Sequence, residues 1–358
     1  MPSRVLLISN MFPSSRDRTY GRFVERCATG LATAGIKTDV VSLPKHSSFV
    51  TKLLDYVRFA IEANVRILLK RYDCVYVHHP LHTLLVCTPA LAVRKVQLVL
   101  NFHGHDLLPV KRRGKVLQAM MSGFFRSASI VVVPSRHFKS LFDSRFGDGR
   151  PEGARIFYSG GVNDEYFAIE PPAWTSRPPS ALFLSRWVAE KGWPDFIDLA
   201  KRLKHCIPDF QFTLAGVGPD ESAIRAAVTQ AGLAGSVNIV PAVTVEQNRT
   251  LFTGHRYFVF PTRYDESLAL VNLEAMACGC VVLSTDFPTA SEYIEHGVNG
   301  FRLPLAGFTD TCLHWIKALE ENAAAASAIT TAARITACRF RESDVMRGLP
   351  MLLEPRVP

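Results

Sequence analysis

Short, nearly continuous apolar runs recur along the chain. Between them lie longer stretches in which apolar residues return every three or four positions. In the first half the runs fall at residues 4–9, 38–43, 74–77, 96–102 and 130–133, and a helical pattern over about 21–34 is stopped by Gly35. In the second half strand patterns at 181–185, 210–215, 237–240, 257–261 and 280–284 surround helical patterns at 193–204 and 221–231. Strands alternating with helices predict parallel sheets. Runs apolar on both faces predict sheets covered on both sides. The fold class expected is therefore α/β, with two doubly wound, Rossmann-like halves.

Between the halves, Glu170-Pro-Pro-Ala-Trp-Thr-Ser-Arg-Pro-Pro179 packs four prolines into ten residues. Proline fixes φ and removes a donor, so this reads as a linker or hinge. The division predicted is an N-terminal domain over 1–170, a linker over 171–180 and a second domain over 181–338. A last segment, 339–358, is expected to cross back to the first domain. Two such domains facing each other would take a ligand in the cleft at their strand C-termini.

Composition narrows the class. The 358 residues are 48% hydrophobic, enough for a substantial core. No run of about 18 apolar residues occurs, which predicts no membrane-spanning helix. The N-terminus reads as a first strand and not as a signal peptide. Eight cysteines form no Cys-x-x-Cys pair, and buried reduced thiols in a cytoplasmic protein are the expectation. The net charge of +9 is uneven. Residues 1–170 hold 24 Lys+Arg against 13 Asp+Glu, and residues 171–358 hold 17 against 19. A basic first half fits an anionic partner such as a phosphorylated acceptor or an anionic membrane face. Nucleic acid is disfavoured, because the basic residues lack a stacking or groove-reading motif.

The stretch Arg263-Tyr-Asp-Glu-Ser-Leu-Ala-Leu-Val-Asn-Leu-Glu-Ala-Met-Ala-Cys-Gly279 is the main chemical clue. It places two carboxylates, Glu266 and Glu274, in a mostly apolar segment. With Asp265, Glu266 and Ser267 read as a helix start, the two carboxylates stand about 12 Å apart along a helix, turned by about 80°. That exceeds the roughly 5–9.5 Å of a glycosidase carboxyl pair. The pair could instead grip two ends of a long ligand, with a diphosphate at the helix N-terminus between them. A nucleotide sugar has that shape. Glu266 read alone is equally an N-terminal helix residue favoured by the dipole.

The segment Pro261-Thr-Arg-Tyr-Asp-Glu-Ser-Leu-Ala-Leu-Val-Asn-Leu-Glu-Ala-Met-Ala-Cys-Gly-Cys-Val-Val282 resembles the signature of retaining GT-B glycosyltransferases of family 4. Ser284-Thr-Asp286 and Glu292-Tyr-Ile-Glu-His-Gly-Val-Asn-Gly-Phe301 match its continuation. Phe183-Leu-Ser-Arg-Trp-Val-Ala-Glu-Lys-Gly192, Phe212-Thr-Leu-Ala-Gly-Val-Gly-Pro219, Phe102-His-Gly-His-Asp106 and Tyr20-Gly-Arg-Phe-Val-Glu25 are similar to further family motifs. The resemblance implies a GT-B fold and transfer of a hexose-type sugar, with retention of configuration. The donor would be a UDP- or GDP-sugar, and the acceptor a glycan or a lipid-linked molecule.

The resemblance also implies roles. Arg186 and Lys191 would hold the diphosphate in place of a metal, so no metal and no cofactor are expected. Glu266 would bind the donor sugar and Glu274 the ribose. The amides around Leu268, Ala269 and Leu270 would hold sugar and phosphate oxygens. Gly21 would let the backbone approach the diphosphate, or is an ordinary loop glycine. His103 would sit near the transferred sugar. His105 and Asp106 are acceptor-side candidates, with structural readings open for both. A metal site built from His103, His105 and Asp106 with His78, His79 and His82 lacks a third spaced element. The family's Glu-Gly-Phe-Gly is Glu266-Ser-Leu-Ala269 here, and its Gly before the arginine is Ser185. A sugar-nucleotide epimerase or hydrolase, and a non-catalytic nucleotide-sugar sensor, are the alternative readings.

Two stretches mix apolar and basic residues: 49–72, and Lys111-Arg-Arg-Gly-Lys115 ahead of 120–125. They read either as membrane-surface patches, at the inner face of a membrane, or as core helices with solvated faces.

Overall fold

The computed structural model describes residues 2–14, 20–43, 49–104, 106–109, 111–148, 153–241 and 244–354. Its strands are β1 (Arg4–Ser9), β2 (Lys37–Ser42), β3 (Cys74–His78), β4 (Gln97–Asn101), β5 (Ile130–Val133) and β6 (Arg155–Ile156), then β7 (Ser180–Leu184), β8 (Gln211–Gly216), β9 (Val237–Pro241), β10 (Tyr257–Phe260), β11 (Val281–Thr285) and β12 (Phe301–Leu303). The helices are α1 (Arg22–Thr33), α2 (Phe49–Leu69), α3 (Pro80–Val93), α4 (Arg112–Ser127), α5 (Arg136–Phe146), α6 (Trp193–Cys206), α7 (Glu221–Gln230), α8 (Val245–Gly254), α9 (Leu270–Ala277), α10 (Phe308–Glu320), α11 (Ala323–Cys338) and α12 (Glu342–Leu352). The chain divides into two units, Met1–Gly161 with Ser343–Pro358, and Val162–Glu342.

The first unit carries one parallel sheet in the order β2-β1-β3-β4-β5-β6. Successive residues of each strand point to opposite faces, and both faces are covered. Leu6, Ile8, Val75, Val77 and Leu100 enter one apolar cluster with Phe59, Leu84, Phe125 and Phe142. Val5, Leu7, Tyr76, Val99 and Val132 enter another with Val24, Leu31, Leu349 and Leu353. Two leucines of that second cluster come from the end of the chain, so α12 completes the first unit's core. The amide of Gln97 donates to Leu353 O at 2.6 Å, and the Arg155 guanidinium donates to Leu352 O at 2.8 Å.

The second unit holds a parallel sheet in the order β12-β11-β10-β7-β8-β9. Its core gathers Phe183, Phe196, Phe212, Tyr257, Val259, Val281, Leu283 and Ile316. The proline-rich stretch belongs to this unit and does not hang free as a hinge. Trp174 lies in its core. The buried Arg177 guanidinium donates to the carbonyls of Pro172, Phe252, His255 and Cys278. The division therefore falls after Gly161, ahead of the expected boundary at 170, because an isolated bridge ties Val162 to Arg341 and the Arg341 guanidinium sits over the Phe167 ring. Among the described residues, no helix is long and apolar enough to cross a membrane.

Candidate active site

In an open α/β sheet the strand order reverses at one point, and a crevice opens there beyond the strand C-termini. In the second unit that point lies between β7 and β10, which pair through Tyr257↔Ala181 and Phe258↔Leu182. The loops leaving these two strands carry the expected donor-binding residues. Lys191 ends a short 3₁₀ turn, Ala189–Lys191, after β7, and Glu266 lies in the loop after β10. Lys191 Nζ meets Glu266 Oε1 at 2.6 Å, with only 12% and 13% of the two side chains exposed. The Thr262 hydroxyl donates to the same oxygen at 2.7 Å, and Thr289 Oγ1 donates to the Glu266 carbonyl at 3.0 Å. Lys191 also stands over the rings of Phe260 and Tyr264, at 5.6 and 5.2 Å.

The local sequence explains why the loops meet. Gly192 has φ +87, and a Cβ there would stand 2.1 Å from Pro261 O. Only glycine lets the two backbones approach so closely. Arg263 N then donates to Glu190 O at 2.8 Å, and the Arg263 guanidinium pairs with Asp195 at 2.6 Å. On the other side, Thr285 Oγ1 from the end of β11 donates to Thr262 O at 2.7 Å.

The helix start differs from the expectation. α9 begins at Leu270 and not at Asp265–Ser267, so Glu266 stands in the loop ahead of the helix. Its carboxylate serves Lys191 and Thr262, and it does not cap the helix. Ala269 is the N-cap, in the left-handed conformation with φ +53 and no capping side chain. The left-handed region costs an L-residue with a Cβ about 1–2 kcal/mol, and this is the position where the resembled family has glycine. The spacing of about 12 Å between the two carboxylates assumed one continuous helix and does not apply. Glu274 lies within α9 and is half-buried.

Leu268 is fully buried, backbone included, whereas Ala269 and Leu270 are partly exposed. Among the described residues, the amides of Leu268, Ala269 and Leu270 donate to no backbone carbonyl, and they stand at the positive end of α9. Arg186 shares the loop of Lys191, is exposed and makes no ion pair among the described residues. The structure thus brings Lys191 and Glu266 together. It adds Thr262 and Thr289, which the sequence reading missed. A hydroxyl next to a strand-ending proline carried no signal by residue type alone.

In the first unit the residues around His103 form a different arrangement. His103 follows β4, and His78 ends β3. His78 Nδ1 and His103 Nε2 are 3.1 Å apart, so one donates and the other accepts. The His103 ring lies 4.5 Å from the rings of both His79 and Phe23. Burial, with the neighbouring His79, pushes His78 down to about 3 and holds His103 well below the usual imidazole range. Both imidazoles are neutral at pH 7. From the sequence, His78 and His79 are candidates only as metal-ligand alternatives. Among the described residues, no group of His, Cys, Asp and Glu is arranged to hold a metal ion.

Asp106 is 3% exposed, and its carboxyl accepts from His103 N–H at 2.9 Å. It braces the turn that follows β4. Burial raises it to about 7, against the opposing pull of the backbone N–H groups it accepts. His105 lies outside the described residues. Gly21 caps α1 with φ +77, and a Cβ there would fall 2.6 Å from Met11 C and Phe12 N. The close approach that requires glycine at this position is to its own preceding loop.

Family models account for most of the chain. One for glycosyl transferases group 1 matches residues 166–334, and one for a glycosyl transferase 4-like domain matches residues 5–158. The chain belongs to the GT-B glycosyltransferases of this group. It is 27% identical over 222 residues to the GDP-mannose-dependent alpha-(1-6)-phosphatidylinositol monomannoside mannosyltransferase of Mycolicibacterium smegmatis, covering 57% of this chain and 56% of that protein. It is 30% identical over 126 residues to the alpha-D-kanosaminyltransferase of Streptomyces kanamyceticus, covering 35% of this chain and 32% of that protein. The chain thus spans about half the length, or less, of these curated relatives. Among solved structures it is similar to Anabaena HepE in complex with UDP and glucose, with TM-score 0.73, 19% identity, and 98% and 99% of the two chains covered. It is also similar to sucrose-phosphate synthase from Thermosynechococcus elongatus, with TM-score 0.77, 16% identity and 98% of each chain covered. At these identities the likeness to solved structures is one of fold.

Proposed function

We propose that the chain transfers a hexose-type sugar from a UDP- or GDP-sugar to a glycan or lipid-linked acceptor, with retention of configuration and without a metal. The observation that carries this reading is the Lys191–Glu266 pair, 2.6 Å apart at the switch point between β7 and β10. A cation and a carboxylate at one strand end suit a ligand with both phosphates and hydroxyls.

In this reading Lys191 and Arg186 take the diphosphate, and the free amides ahead of α9 take further phosphate or sugar oxygens. Glu266 accepts from sugar hydroxyls and Glu274 from the ribose. The bond from the sugar's anomeric carbon to the diphosphate oxygen breaks, and a bond to the acceptor oxygen forms on the same face. The acceptor's proton leaves with the diphosphate oxygen. As negative charge builds on that oxygen, Arg186 and Lys191 stabilise it more strongly than in the ground state, which is what lowers a barrier. His103 is assigned to the transferred sugar, as a neutral imidazole that can polarise a hydroxyl. The donor base stays a choice of two: a curated relative's name specifies GDP-mannose, and a structural neighbour was solved with UDP.

A thermal-shift panel of UDP-, GDP- and ADP-sugars, followed by mass spectrometry of products with glycolipid and oligosaccharide acceptors, tests the reading. Stabilisation by one donor class and acceptor-dependent release of nucleotide are expected, unchanged by EDTA. Release that ignores the acceptor would assign the chain to a hydrolase or epimerase instead.

A further inference from the structure

A helix lying on a sheet buries one face and shows the other to water, and the outer face is ordinarily polar. In the first unit α2 departs from this rule. Its inner face carries Phe59, Ala63 and Ile67, all buried in the core. At about 100° per residue, Leu54, Val57, Ile61, Val65 and Leu68 share an arc about 80° wide, centred roughly 160° away from that inner face. All five are exposed, Leu54 by 65% and Ile61 by 60%. Two more exposed apolar side chains, Val116 and Met120, lie on α4. They share a concavity of about 490 Å³ with Arg112 and Arg113. α3, which packs on both α2 and α4, adds exposed Leu85 and Val93.

The charge on this side of the unit is lopsided. Residues 49–127, which contain α2, α3 and α4, hold twelve Lys+Arg and four Asp+Glu. Lys52, Arg58, Lys70, Arg71, Lys111 and Lys115 are exposed there. Apolar side chains pointing outward with cations beside them match the interface of an anionic bilayer. The hydrocarbon stripe sinks to the acyl boundary, and the ammonium and guanidinium groups meet lipid phosphates. A protein partner would need carboxylates to match this charge, whereas an anionic leaflet presents it at every point.

We propose that the α2 stripe, with the basic start of α4, is a docking surface for an anionic lipid bilayer. It rests on no part of the donor-site reading, and its test needs no sugar nucleotide. The whole chain is sedimented with vesicles of phosphatidylcholine alone and of phosphatidylcholine mixed with phosphatidylglycerol. Binding to the mixed vesicles is expected, weakened by salt. The double substitutions Val57→Gln with Ile61→Gln, and Arg112→Glu with Arg113→Glu, are each expected to weaken it roughly tenfold or more. All four positions are exposed, and an unchanged melting temperature checks that the variants fold.

Three results would overturn the proposal. One is no binding to mixed vesicles at low salt. Another is binding that either double substitution leaves intact. The third is a lipid-free dimer that Val57→Gln with Ile61→Gln dissolves, which would give this face to a second copy of the chain.

Discussion

The two units share an architecture and differ in what they place at the ends of their central strands. The second unit sets a lysine and a glutamate in contact, nearly shut off from water. The first sets two uncharged imidazoles edge to edge, with a phenylalanine beside them. Both sheets are parallel and gather their strand C-termini along one edge, so the fold does not choose the chemistry. The choice is made by a few loop residues and by what surrounds them. A charged pair survives in the second unit because each ion satisfies the other. Imidazoles in the first unit lose their protons because burial and a neighbouring imidazole both oppose a positive charge there.

The largest test of this contrast is to break the ionic pair. Glu266→Gln and Lys191→Ala are each expected to lower kcat/KM for sugar transfer by about a hundredfold to a thousandfold. Lys191→Ala is also expected to lower the melting temperature, because it leaves the largely buried Glu266 carboxylate without its cation. Steady-state kinetics with the donor found in the panel measure the first effect. Near-normal turnover in both variants would remove the pair from the mechanism.

A smaller effect belongs to the first unit. His78 and His103 have pKa values depressed by burial. The unfolded chain therefore binds protons that the folded one does not. Stability from this source is complete above the unfolded value of 6.5 and is lost as pH falls toward 3. Asp106, raised to about 7, acts in the opposite direction and favours the folded state at low pH. Two histidines act against a single carboxyl, so net stability is expected to fall as pH falls through this range. Melting temperatures taken between pH 7 and pH 5 should fall by a few degrees, and His78→Gln should flatten the slope. A flat wild-type profile would mean that these imidazoles hydrate or charge without unfolding.

The smallest effect concerns Ala269. Its left-handed backbone has no side-chain justification, so Ala269→Gly is expected to stabilise the second unit by about 0.5–1 kcal/mol. That is a rise of about 2 °C for a unit of this size. Unchanged donor affinity in this variant would show that the strain is incidental to binding. A loss of affinity would show that the alanine positions the free amides.

Much of this was legible in the chain itself. The apolar runs at 4–9 and 257–261 predict buried parallel strands, and β1 and β10 form there. The motifs ending at Gly192 and beginning at Pro261 were read as parts of one site, and β7 and β10 turn out to be neighbours. What escaped was decided by contacts across the sequence. Asp265 and Glu266 look like helix-start residues by type, but Thr262 and Lys191 draw Glu266 into a loop. The prolines around Trp174 look like a hinge by composition. The tryptophan's burial and Arg177's four carbonyls fix them to the second unit, and none of those partners is close in sequence apart from Pro172. The histidines at 78, 79 and 103 can be grouped from the chain only as a metal-ligand alternative, and the direct hydrogen bond of His78 to His103 needs two strands to align first.

The placement of α12 has a consequence for how the protein is made. Leu349 and Leu353 complete a core whose other members are all found before residue 158. During synthesis the first unit must wait, unfinished, until the whole of the second has been translated. The contiguous second unit can close before it. The opening half of the chain is thus the last to mature, and a chain cut after Glu342 would carry every residue of the second unit beside an incompletely packed first.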